Sequence, residues 1–387
     1  LTRIGYTPMP FLFKQTPEDD SARNLWSSRY NFARYAGPEG FYKVQAFNET
    51  PSHGVTTVEY DAYRLAVTRV VLPDGCTTHA RYDYLHQLPE QITDANDNIE
   101  EVIYLPSGQP LAVSFYGTEN SVPAGFQPLS EYQLPTDPDP AAAIEHPAEA
   151  VQKAASTLRK NLFSWMGNVL PDVSTEQLLE WIGQRHVLPS GHIRANARLQ
   201  LARSQVLTPA QQLLSAAVAA AARDPVHSVM LSADRYPDDA TAAQIHIVKA
   251  CVDGFGRLLQ TQQRVDPGLA YVVAADGSLV IENGQLLEAL ADPRWRISER
   301  IDYNNKGLPI RQYRAFFANV HGYVNDHSLR EYGFYDQLFY DELGRLIKVI
   351  NATGDFSRET YHPWYKTSED ANDTAEPAPA KPSRTLH

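Results

Sequence analysis

Cysteine is almost absent: the 387 residues hold only Cys76 and Cys251. Two thiols make no disulfide framework, and neither lies in a metal-ligand spacing. Both read as free, packed side chains, with a single bridge between them as the alternative. Positive charge is also short. Lys and Arg number 34 against 46 Asp and Glu, a net charge of −12. Phosphate binding needs concentrated basic residues, so no nucleic-acid partner is expected. No apolar run approaches the roughly 18 residues of a membrane span, so no direct membrane insertion is expected either. The longest bland stretch, Leu213 to Ala222, is alanine-rich and reads as helix of high intrinsic propensity. The first residue is Leu and no signal-peptide pattern follows it, so the chain reads as a piece of something longer. The nucleotide-loop pattern GxxxxGK[ST], the nucleophile elbow GxSxG and the zincin pattern HExxH are all missing.

What is abundant is tyrosine: 21 Tyr against 14 Phe and 5 Trp, alongside 27 Pro and 21 Gly. Tyrosine favours strands, packing a ring while its hydroxyl tolerates water. With so many turn formers this predicts many short strands. An apolar fraction of 43% and a charged fraction of 21% are those of a folded chain.

The strands repeat. Tyr60-Asp61 recurs as Tyr82-Asp83, 22 residues on, and the next tyrosine in phase is Tyr104. Tyr82 and Tyr104 each lie seven residues after a turn residue, Gly75 in Asp74-Gly75 and Asp97 in Asp97-Asn98. Near the C-terminus Tyr340-Asp341 leads through Gly344-Arg345-Leu346 to Gly354, with Tyr361 seven residues later. Asp253, Gly256 and Arg257 repeat the same D-x-x-G-R-L core. Gly and Asn-type residues reach positive φ cheaply, so these points are turns of hairpins, and the flanking Leu65–Val71 and Leu346–Ile350 are strands. Each hairpin needs its neighbours to bury a face. A carboxylate that recurs has a structural task, capping turn amides or pairing with Arg64, Arg257 or Arg345. The recurring tyrosines are expected to pack on their equivalents in neighbouring hairpins, sugar platforms being the alternative.

Four regions follow. Residues 1–135 are β-rich, and 136–225 are linker plus helical insertion. Residues 226–367 are β-rich again, and 368–387 form an acidic then Ala/Pro-rich tail expected to be disordered. Within the insertion, Pro135 to Pro147 is expected to be linker. Glu149 to Met166 is expected to be an amphipathic helix on the spacing of Val151, Leu158, Leu162 and Trp165. Ser174 with Gln177 opens a second helix and Thr208-Pro209 a third, running to about Ala222.

The Y-D-x-x-G-R-L core followed by a strand, a glycine turn and a tyrosine is the YD/Rhs repeat signature. Beyond it, the chain resembles the C-terminal half of the Tc insecticidal toxin B component along almost its whole length. The resemblance rests on Asn24-Leu25-Trp26-Ser27, Gly40-Phe41-Tyr42, Val113 to Glu119, Ala233-Asp234-Arg235-Tyr236-Pro237, Asp253 to Leu259, Tyr303 to Pro309, Tyr361-His362-Pro363-Trp364 and Ser368-Glu369-Asp370. It implies a mainly β fold, an antiparallel YD-repeat strip forming part of a hollow shell. It implies a secreted assembly in which B and C components enclose the cytotoxic C-terminal region of the C component until an A-component channel delivers it. The unit after Tyr104 departs from the pattern, with Leu105 and Ser107-Gly108-Gln109 where Asp and Gly-Arg are expected. No self-cleavage signature of the C component is visible. The final unit, Tyr340 to Tyr361, is expected at a sheet edge that the C component extends, with Arg358 and Thr360 offering their N–H groups.

No catalytic, cofactor or metal residue is assigned. His321 and His327, with Asp326 beside one, lack a third ligand in spacing. The acidic pairs Asp19-Asp20, Glu100-Glu101 and Asp238-Asp239 read as solvated faces. Two other readings stay open: a YD-repeat adhesion or glycan-binding module, marked by exposed aromatics, and a hydrolase, marked by a pocket of perturbed carboxylates.

Overall fold

The computed structural model describes residues 6–8, 26–28, 32–49, 53–136, 139–170, 172–221, 223–237, 239, 241, 243–274, 277–298, 300–326, 329 and 334–374. Short antiparallel strands dominate, as the tyrosine-rich, turn-rich composition requires. Two compact units share the chain. The first comprises 1–135, 148–158 and 232–245; the second comprises 136–147, 159–231 and 246–387.

In the first unit, strands Phe32–Tyr35, Val44–Asn48, Thr56–Tyr60, Val67–Val71, Thr77–Asp83, Leu88–Thr93, Ile99–Tyr104 and Pro110–Glu119 pair in sequence order as an antiparallel meander. Register sorts the side chains by face. Glu59 lies opposite Arg69, and Gln91 opposite Glu101, on one face, while Val58 opposite Val70 and Ala80 opposite Ile92 share the other. The buried cluster sits at the end of this sheet, where Leu111 and Ala112 pack with Leu129, Tyr132 and Ala154.

The second unit holds a helical block and two sheets. Helices Thr175–Gly183, Ala195–Arg203 and Pro209–Ala220 close around Trp181, Val187, Ile193, Ala197 and Leu214. Ser174 Oγ accepts from Gln177 N–H, and Thr208 with Gln211 forms a complete capping box with Pro209 at the first helical position. Strand Leu258–Val265 pairs with Ile245–Val252 and Arg294–Ser298. A six-stranded sheet follows in the order Ile301–Tyr303, Pro309–Tyr313, Tyr335–Tyr340, Leu346–Ile350, Phe356–Tyr361 and Lys366–Glu369.

Several expectations are corrected. The helix expected over Glu149 to Met166 is a short helix Pro147–Val151, a strand Ser156–Asn161 and a 3-10 turn Ser164–Met166. Gln152 adopts a left-handed φ of 55° and stops the helix. Ser156 and Thr157 then pair with Val113 and Ala112. Tertiary pairing overrides a periodicity that a short segment cannot fix. The expected linker contains a helix, Pro140–Glu145, capped by Asp139 with Pro140 at its first position, the one place where proline costs a helix no hydrogen bond. Phe356–Tyr361 is not the edge. It pairs with Leu346–Ile350 on one side and Lys366–Glu369 on the other, so Arg358 and Thr360 are interior. The tail from Ser368 thus begins inside a strand and continues as a turn to Thr374; residues 375–387 lie outside the described residues. Both cysteines are free, Cys251 buried but Cys76 exposed rather than packed. Among the described residues no helix is long and apolar enough to cross a membrane.

Candidate functional site

The recurring feature of the chain is a five-residue loop. At 72–76, 94–98, 105–109, 253–257, 304–308, 341–345 and 351–355 the first N–H donates to the fifth carbonyl, and the fourth N–H donates back to the first carbonyl. This is a type I turn closed by a left-handed residue. That fourth position is Gly75, Asp97, Gly108, Gly256, Gly307, Gly344 or Gly354, with φ between 61° and 96°. Glycine fits because it has no Cβ to clash at positive φ.

Two loops carry the full side-chain set. Asp253 Oδ1 accepts from Phe255 N–H and Arg257 N–H, both at 2.9 Å, while Oδ2 accepts from Arg257 Nε at 2.7 Å. Asp341 Oδ1 likewise accepts from Leu343 N–H at 3.0 Å and Arg345 N–H at 2.8 Å, with Arg345 Nε 2.7 Å from Oδ2. Each guanidinium, so held, lies over a tyrosine ring: Arg257 over Tyr303 at 4.4 Å and Arg345 over Tyr361 at 4.2 Å. Each of those tyrosines donates its hydroxyl to the carbonyl just after the arginine, Leu258 O at 2.8 Å and Leu346 O at 3.3 Å. Burial pushes the Asp253 carboxyl up, but its bonds with Arg257 and Phe255 outweigh this and hold it below the usual range. The Arg345 and Leu343 amides and the Arg345 guanidinium do the same for Asp341, against a smaller upward push from burial. Depressed carboxylates stabilise the fold above their unfolded pKa, and that support is lost as pH falls through the folded value.

The other predicted positions keep parts of this set. Tyr60 and Tyr104 donate their hydroxyls to Val44 O at 3.0 Å and Pro89 O at 2.7 Å, at the start of the preceding strand as Tyr361 does. Tyr60, Tyr82 and Tyr340 each follow a β-bulge that turns the strand into its loop. Asp61 accepts from Leu65 N–H at 2.6 Å, Ala66 N–H at 3.2 Å and the Tyr84 hydroxyl at 2.9 Å. Arg64 instead takes the left-handed position, with φ 58°. Asp83 bonds Leu85 N–H and the His86 ring, at 2.8 and 2.6 Å. At Leu105 the backbone loop persists without a carboxylate. Sequence reasoning missed two members. Asn304 replaces the aspartate, its Oδ1 accepting from Lys306 and Leu308 N–H, and Tyr303 is the ring for Arg257. The signal for both was Tyr303-Asn304 with Gly307 at the loop offset.

Glu101 is structural rather than solvated. It accepts from Gln91 Nε2 at 2.7 Å and from Leu129 N–H at 2.9 Å. His327, Asp19, Asp20 and Asp238 lie outside the described residues. His321 is packed on Trp295, ring centroids 5.2 Å apart. Among the described residues no three His, Cys, Asp or Glu side chains gather to hold a metal ion.

No protein-family model and no curated protein matches the chain. Solved structures do. The crystal structure of TcdB2-TccC3-Cdc42 is 32% identical over 96% of this chain, with a TM-score of 0.80. TcdB2-TccC3 without its hypervariable C-terminal region gives 31%, 96% and 0.82. A Photorhabdus luminescens Tc holotoxin pore carrying a TccC3 mutation gives 32%, 96% and 0.80. The chain spans 17% of the length of each of these chains. In sequence and in its mainly β, antiparallel fold, the chain is therefore a Tc toxin B-component-like segment.

Proposed function

We propose that the chain is a non-catalytic wall segment of a Tc toxin B component, part of the shell that B and C components build around the cytotoxic C-terminal region of the C component. The observation that carries this reading is similarity over 96% of the chain to TcdB2-TccC3 complexes. The loop chemistry supports it. At two loops an Asp–Arg–Tyr clasp ties the turn to a tyrosine on another strand, so side-chain polarity is spent on holding strands together. In this reading residues 1–135 and 226–367 are wall, and 136–225 is a helical insertion. The repeat positions serve structure, and the assembled protein is secreted and joins an A-component channel. The test is a TcdB2-TccC3 chain in which this segment replaces its counterpart. The enclosed C-terminal region should resist added protease as in the parent; an assembled chimera that leaves it digestible overturns the reading. The glycan-binding alternative draws on the exposed rings of Phe255 and Trp364, 88% and 95% accessible. Saturable binding of the segment to a glycan array would favour it.

Joining to the next part of the shell should use strand Lys366–Glu369, which among the described residues has no partner on its outer side. His362 N–H donates to Tyr365 O, which sets the hydrogen-bonding phase. Thr367 and Glu369 then point their N–H groups inward, and Lys366 and Ser368 point theirs out. Ser368→Pro should therefore weaken co-purification with a C component while leaving circular dichroism unchanged. Thr367→Pro should disturb the sheet itself. Equal co-purification of Ser368→Pro and parent would place the junction elsewhere.

A further inference from the structure

A polar cavity of about 190 Å³ lies in the second unit where the helical block meets its strands, and Asp224, His227, Lys249 and His321 line it together with Asp139, Ser164 and His192. We propose that Asp224, His227, Lys249 and His321 form an acid-sensitive latch that fastens the helical block to the adjoining strands and opens when the cavity takes up protons. The latch is independent of the shell role proposed above.

Its geometry starts from the main chain. Ser164 Oγ donates to Pro225 O at 2.7 Å, and Asp224 N–H donates to Ser164 O at 3.3 Å, so the segment entering strand Val226–Ala233 is stitched to the 3-10 turn Ser164–Met166 that leads into the helical block. Lys249, on strand Ile245–Val252, reaches across to Asp224 Oδ2 at 2.8 Å with its side chain only 3% accessible. His227 Nδ1 lies 2.9 Å from Pro225 O. A carbonyl only accepts, so Nδ1 carries the hydrogen and Nε2 is the atom that takes up a proton. His321 is held against the cavity by Trp295.

The charges facing these rings come from every element around them. Lys249 comes from its strand, Asp224 from the entry segment, Glu145 from helix Pro140–Glu145 and Asp139 from that helix's cap, and His192, just before helix Ala195–Arg203, adds an imidazole that burial holds below its ordinary value. With both histidines neutral, the buried ammonium is balanced by Asp224. Burial pushes the Asp224 carboxyl up, but the Lys249 charge and hydrogen bond outweigh it and hold it below the usual range. Protonating His227 and His321 adds two positive charges beside an ammonium that cannot move into water. Burial, and then the Lys249 charge, hold both imidazoles below their ordinary value. The closed state thus binds fewer protons than the open one. The latch is stable above the ordinary histidine pKa, about 6.5, and weakens as pH falls below it.

Hydrogen exchange by mass spectrometry on the complete chain, corrected for intrinsic rates, tests the proposal at pH 7.5 and at pH 5.0. Peptides from 159–231 should exchange roughly tenfold faster at the lower pH, with those from 335–361 unchanged. His227→Gln with His321→Gln should abolish the difference. Should that pair fail to fold at pH 7.5, Lys249→Gln, which removes the charge that adds to burial in disfavouring protonation, should reduce the pH dependence. Equal protection of the wild type at both pH values overturns the latch, as does an acid response undiminished in either variant.

Discussion

Replacing Trp181 by alanine is expected to cost roughly 3–5 kcal/mol and to release the helical block from order while the six-stranded sheet stays intact. Trp181 is 4% accessible and is the largest side chain of the cluster that includes Val187, Ile193, Ala197 and Leu214. The three helices around it have only 9, 9 and 12 residues. Helices shorter than about 12–15 residues are marginal alone in water, so their order depends on the face they share with the indole. Removing the indole leaves a cavity that Ala197 and Ala217 are too small to refill. Trp181→Phe, which keeps an aromatic ring, should cost markedly less. Amide exchange across Thr175–Gly183 and Ala195–Arg203 measures this directly. Protection in Trp181→Ala equal to that of the parent would mean that the block is held by its attachments and not by its core.

Much of the β architecture was written in local chemistry. Gly75, Asp97 and Gly354 were legible as turn residues because a left-handed φ is a demand on a single residue, and each occupies such a position. The link from Asp341 to Arg345 was legible because its members are four residues apart and the loop closes on itself. Tyr303 as the ring for Arg257 was not, because strand Leu258–Val265 takes its partner from Arg294–Ser298 rather than from the next hairpin. Sequence distance then ceases to mark the neighbour. The same limit explains Ser156–Asn161. Val151, Leu158, Leu162 and Trp165 have helical spacing, yet the segment is claimed by strand Pro110–Glu119, whose need for a partner no local pattern reports. The latch residues were hidden for a further reason. Asp224 and His227 are three apart, but Lys249 and His321 come far later in the chain, and only packing brings a lysine inside to meet two histidines.

Gln260→Leu is the substitution whose outcome should depart furthest from its hydropathy. The run Leu258-Leu259-Gln260-Thr261-Gln262-Gln263 reads as a strand with polar residues facing water, yet Gln260 and Gln262 are both fully buried. Gln260 behaves as a piece of backbone. Its Oε1 accepts from Val324 N–H at 3.0 Å and its Nε2 donates to Val324 O at 3.2 Å. The same Oε1 accepts from Gln262 Nε2 at 2.8 Å, and Val324 O also receives Arg300 Nη1 at 2.6 Å. Leucine has nearly the same volume and is more apolar, so a transfer argument predicts a gain. The hydrogen-bond argument predicts a loss, because Val324 N–H and the Gln262 amide would stay buried without partners. Each unsatisfied buried group costs about 1–3 kcal/mol, so a net destabilisation of roughly 2–4 kcal/mol is expected. Gln262→Leu should cost less, since it strands no main-chain group. Its losses are a second bond to Gln260 Oε1 and a long contact from Cys251 Sγ at 3.7 Å. Urea denaturation of the complete chain, read together with exchange at Val324, separates the two arguments. A Gln260→Leu variant at least as stable as the parent would show that the amide ladder contributes nothing net and that burial of apolar volume decides this core.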